Sequence, residues 1–80
     1  MDAWLEEARA RVAGATGEEA SRYDLAQAEV DALLDLARIA AHASGERVNA
    51  PLLCYLVGLA HGRNGGKLED LVDAAIGTSA

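Results

Sequence analysis

The sequence predicts an all-α fold, a compact small bundle of about four helices, and three observations predict it. Glycines divide the 80 residues at regular places: Gly14 and Gly17, then Gly45, then Gly62, Gly65 and Gly66, and finally Gly77. The stretches between them repeat their apolar residues with a helical period rather than a strand alternation. Eighteen alanines, one proline and no phenylalanine favour helix throughout. Eighteen Leu, Ile and Val residues suffice for one modest core, so residues 1–80 read as a single helical domain.

The first helix is expected over about residues 2–13. Asp2 can cap its opening turn, and Glu6 and Glu7 suit the positive end of the helix dipole. Trp4, Leu5, Ala8 and Val12 fall on one side, and Trp4 is expected to pin that side to the core, the alternative being an exposed interface anchor. Gly14 to Arg22 reads as a loop with room for one turn of helix. The second helix spans about 24–43, where Asp24 followed by Gln27 resembles a capping box. Its main apolar stripe is Val30, Leu33, Leu34, Ala37, Ala40 and Ala41. Leu36, Ile39 and Ala43 extend that stripe to a second side.

The third helix spans about 50–62. It opens at Ala50–Pro51, where a proline is tolerated because no intrahelical partner awaits its missing N–H. Leu52, Leu53, Leu56, Val57, Leu59 and Ala60 leave almost no polar side, which predicts a central helix. Gly58 in its middle predicts a close crossing with a neighbour, and Gly62 a C-terminal cap. The fourth helix, about 67–76, places Leu68, Leu71, Val72, Ala75 and Ile76 on one face, with Gly77 as its cap.

Seven basic against thirteen acidic residues give a net charge of −6. This argues against nucleic acid, which needs clustered Lys and Arg, and against an anionic membrane surface. No apolar run reaches the roughly 20 residues of a membrane span, and the acidic N-terminus is unlike a signal peptide. A cytoplasmic location is expected. Cys54 alone excludes an internal disulfide, reads as a small buried hydrophobe, and belongs to no metal-ligand spacing. Ser21, Ser44 and Ser79 lack a paired His and Asp. No catalytic, cofactor or metal residue is therefore assigned.

Two polar groupings remain as a candidate interaction surface. Asp35, Arg38 and His42 follow Asp31 down one stripe of the second helix and read as a solvated face open to a partner. His61, Arg63 and Lys67 flank Asn64, Gly65 and Gly66. Backbone N–H groups and two cations there can meet a phosphate, but no P-loop or dinucleotide-binding spacing is present. Tyr23 and Tyr55 are expected to pack their rings and leave their hydroxyls at the surface.

The run Leu33-Leu34-Asp35-Leu36-Ala37-Arg38, then Ala41-His42, Arg47, Ala50-Pro51-Leu52 and Leu56-Val57-Gly58-Leu59-Ala60-His61-Gly62-Arg63, resembles a known family. It is a family of small bacterial helical domains of unknown function, fused to or found alongside molybdopterin-guanine dinucleotide synthases. Trp4-Leu5 fits its style, Gly14 to Tyr23 is the weakest part, and the matching positions are Asp35, Arg38, His42, Pro51, Gly58, Gly62 and Arg63. The resemblance implies a non-catalytic accessory domain in molybdenum cofactor biosynthesis, with a protein partner, the molybdenum-cofactor guanylyltransferase. It carries over no catalytic residue. The alternatives are a self-associating module forming a homo-oligomer, and a small phosphate- or pterin-binding domain using the 61–67 loop. An 80-residue domain buries only about 60% of its unfolded surface, so a further interface would stabilise it.

Overall fold

The computed structural model describes residues 2–77, so Met1 and residues 78–80, with Ser79, lie outside the described part. The fold is all-α. Its helices are α1 (Ala3–Thr16), α2 (Gln27–Ser44), α3 (Asn49–Asn64) and α4 (Leu68–Ile76), with a 3-10 turn at Ala20–Tyr23 between the first two.

Asp2 caps α1 as expected, its carboxylate accepting the Leu5 N–H at 2.8 Å. Gly14 does not end the helix. It continues to Thr16 and closes at Gly17 (φ 72°), where the Ala13 carbonyl accepts the Glu18 N–H at 3.0 Å. This is a Schellman closure, and its left-handed residue is glycine because no Cβ obstructs it there. The expected box between Asp24 and Gln27 is also replaced. Ala26 is the N-cap of α2, and the Glu29 carboxylate reaches back to accept its N–H at 2.8 Å. Asp24 is engaged instead by Arg9 of α1.

Helices α2, α3 and α4 pack on one another around Leu36, Val57, Leu68 and Val72, all buried, with Leu33, Leu53, Leu71 and Ile76 half-buried against them. Leu36 is fully enclosed, whereas Leu34 is 65% exposed. The inward side of α2 is thus the one carrying Leu33, Leu36 and Ala40. Of the expected stripe, Ala40 is buried and Val30, Leu33, Ala37 and Ala41 are half-buried; Leu34, at its edge, is turned outward, because α3 and α4 both seat against the Leu36 side. On α4, Leu68 and Val72 point inward as the period predicts.

Helix α1 packs against the 3-10 turn and not against α2, α3 or α4. Ala13 is buried in that contact, and Thr16 Oγ1 and the Tyr23 hydroxyl are hydrogen-bonded at 3.0 Å. Trp4, expected in the core, is 70% exposed: α1 has no neighbour on that side.

Candidate functional site

The two polar groupings are separate surfaces with different construction. On α2, Asp35 and Arg38 form an exposed pair at 3.5 Å, and His42 lies beyond them without a partner among the described residues. Water screens such a pair, so it contributes little to folding and remains free to meet a ligand or protein. Nothing buries or orients His42 as a general base requires.

The 61–67 loop is more ordered than a flexible turn. Helix α3 runs through Gly62, which is not its cap, and ends at Gly65, whose N–H donates to the His61 carbonyl at 2.8 Å. Gly65 and Gly66 both take positive φ, 72° and 86°, which turns the chain sharply into α4. The His61 ring meets the Gly66 carbonyl at 3.1 Å, and the Asn64 amide donates to the Ala60 carbonyl at 3.0 Å. These bonds brace the turn and engage the His61 Nε2. Arg63 and Lys67 remain exposed and make no ion pair among the described residues.

The most distinctive surface is apolar and lies on α3. Val57 points into the core, but on the opposite side Leu52, Tyr55, Leu56 and Leu59 face outward, with Tyr55 67% and Leu56 57% exposed. Helix α3 is therefore central by composition and peripheral by position, and the Tyr55 ring is not packed. Gly58 is exposed too, and a Cβ built there meets nothing within 4 Å, so no close crossing occurs at it. Leu56 forms a ridge between two shallow apolar grooves. One, of about 380 Å³, is lined by Ile39, Ala43, Leu52, Leu53 and Ile76. The other, of about 270 Å³, is lined by Val57, Ala60, Leu71 and Ala74. The polar residues of the larger groove are Ser44 and Asn49, and the Ser44 hydroxyl already donates to the Ala40 carbonyl at 2.6 Å. No cation lines either groove, so neither suits a phosphate.

Periodicity alone did not identify the outward side of α3, since a helix apolar all round gives no direction. The usable signal was the absence of Asp, Glu, Lys and Arg from residue 49 to residue 62, in a chain that is 25% charged. Cys54 is half-buried on the inner side, its thiol 3.9 Å from the Leu33 carbonyl oxygen, and burial raises its pKa. Among the described residues, no three His, Cys, Asp or Glu side chains gather as metal ligands, and no helix is long and apolar enough to cross a membrane.

A family model described as a domain of unknown function, DUF6457, matches residues 1–80, and the chain belongs to that family. No curated protein and no solved structure matches the chain.

Proposed function

We propose that this member of the family is a non-catalytic protein-interaction domain that works beside a molybdopterin-guanine dinucleotide synthase in molybdenum cofactor biosynthesis. The pathway and the partner rest on the resemblance carried by Asp35, Arg38, His42, Pro51, Gly58, Gly62 and Arg63. The interaction role rests on one observation: Trp4 is 70% exposed on a helix that packs away from the three-helix core. Tryptophan is the side chain most often found as an interface anchor, because a large rigid surface leaves water at a small entropic cost. Leu5 and Val12 extend the same exposed side of α1. Asp2 and Glu7 beside it, and a net charge of −6, suit a partner surface with a basic rim. The enzyme supplies the nucleotidyl-transfer chemistry, and this domain supplies a docking arm.

Calorimetric titration of the purified guanylyltransferase with this chain tests the reading. Binding at tens of micromolar or tighter is expected, with Trp4→Ala weaker by about tenfold or more. Absence of binding at those concentrations overturns the partnership. Equal binding by wild type and Trp4→Ala overturns the assignment to α1.

A further inference from the structure

The outward side of α3 is independent of the α1 arm and has a symmetry of its own. At about 100° per residue, Val48, Leu52, Tyr55, Leu56 and Leu59 fall within an arc of about 100°, directly opposite Val57. Val48 belongs to this row because its own dihedrals are helical (φ −65°, ψ −19°). The spacing from Val48 to Leu52, Tyr55 and Leu59 is four, three and four, that of a helix–helix seam. The centre of the row is apolar in both directions about the midpoint of Tyr55 and Leu56: Leu52 mirrors Leu59, and Tyr55 mirrors Leu56, while Val48 at the end mirrors Arg63.

We propose that a second copy of this chain covers this face, through a two-fold pairing of α3 with α3 in antiparallel orientation. A two-fold axis between Tyr55 and Leu56 sets Leu52 against Leu59 of the second copy and Tyr55 against its Leu56. Every large apolar residue of the row's centre then meets an apolar residue. The Leu56 ridge of each copy stands between grooves that accept the side chains of the other, as helix ridges enter grooves.

Charge selects both the occupant and the direction. Two chains of −6 repel each other wherever their acidic surfaces meet, but residues 49 to 62 present no charged side chain for repulsion. Parallel copies would set Arg63 beside Arg63 and Lys67 near Lys67. Antiparallel copies place Arg63 near Val48 of the second copy, at the end where Glu46 and Arg47 offset each other, and they oppose the helix dipoles favourably. Area agrees. The exposed fractions along the row leave roughly 500 Å² of apolar surface per copy, so about 1,000 Å² over two, near the lower bound of a specific interface. That size predicts a dimer dissociating in the micromolar range.

Sedimentation of the full chain across micromolar to millimolar concentrations tests the pairing. A monomer–dimer equilibrium is expected. Leu56→Glu and Leu59→Glu are expected to weaken it at least tenfold while leaving the helical circular dichroism unchanged, since both side chains are exposed. A monomer at all concentrations overturns the proposal, as do oligomers growing without limit, which a closed two-fold pair forbids. Orientation is read by disulfide trapping in a Cys54→Ala background. A mixture of Leu52→Cys and Leu59→Cys chains is expected to cross-link faster than either alone, and equal rates overturn the antiparallel register. Trp4→Ala is expected to leave the dimer intact, so failure of this pairing and failure of the enzyme partnership are told apart.

Discussion

The guanidinium of Arg9 on α1 pairs with the carboxylate of Asp24, just beyond the 3-10 turn, and this pair sets the direction in which the arm leaves the domain. A second branch of the same side chain meets Glu6 of α1 at 2.9 Å, so one cation joins a carboxylate of its own helix to one beyond the turn. The Asp24 side chain is 63% exposed and the Arg9 side chain 20%, so water screens the pair from the Asp24 side. Arg9→Ala is therefore expected to change global stability by no more than about 1 kcal/mol. Its effect is local. Amide hydrogen exchange in α1 is expected to quicken while that of α2, α3 and α4 stays the same, because α1 packs on the turn and not on those helices. Uniform quickening in all four helices would show that α1 belongs to the core.

The core makes a sharper contrast. Leu36 and Leu34 are two residues apart on one helix, the first fully buried and the second 65% exposed. Leu36→Ala is expected to lower the unfolding free energy by about 3 kcal/mol, through lost burial and the cavity left between α2, α3 and α4. Leu34→Ala is expected to stay within about 0.5 kcal/mol. Chemical denaturation of the two variants checks the seam. Equal losses would mean that α2 presents both sides to neighbours.

Why Leu34 misleads in the sequence follows from the same pair. Leu34 keeps a helical period with Val30, Ala37 and Ala41, all half-buried, so the period identifies the helix without saying where along the edge of its stripe exposure begins. That boundary is set by α3 and α4, through contacts distant in the chain. The ends of helices were legible where their chemistry is local: Asp2 caps α1, and Gly45 and Gly77 follow α2 and α4 with φ near 75°. Asp24 was misleading because its best partner, Arg9, lies fifteen positions away and no capping rule sees it. On α3 the same ambiguity took another form. Leu52, Leu53, Leu56, Val57, Leu59 and Ala60 promised burial on all sides, but α2 and α4 cover α3 only on its Val57 side.

Gly58 offers a test that reads α3 from another direction. It lies in the interior of a helix, its φ is not positive, and a Cβ there meets nothing within 4 Å. Gly58→Ala is expected to stabilise the monomer by about 0.5–1 kcal/mol, since alanine loses less backbone freedom in a helix. Gly45 takes φ 73° at the end of α2, and Gly45→Ala is expected to destabilise by about 1 kcal/mol although the space is equally open. Thermal melts of the two variants should move in opposite directions. A destabilised Gly58→Ala would place a close helix contact at that position.

Cys54 gives the pH dependence. Burial disfavours its thiolate, so the folded-state pKa lies above the ordinary value of about 8.5 that an unfolded chain would show. Between those two values the native state holds the proton more tightly than the unfolded state, and unfolding then releases it. The sign follows: the contribution is fully present below about pH 8.5 and is lost as the pH rises towards the folded-state value. Wild type is expected to lose stability across that alkaline window by more than Cys54→Ala does, measured as a difference in denaturation midpoint against pH. The same raised pKa predicts slow alkylation at pH 8, since the thiolate is the reacting species and the sulfur sits half-buried beside the Leu33 carbonyl. Alkylation as fast as that of an unfolded peptide thiol would mean that α2 and α3 open at this point far more often than the packing of Leu33, Leu36 and Val57 allows.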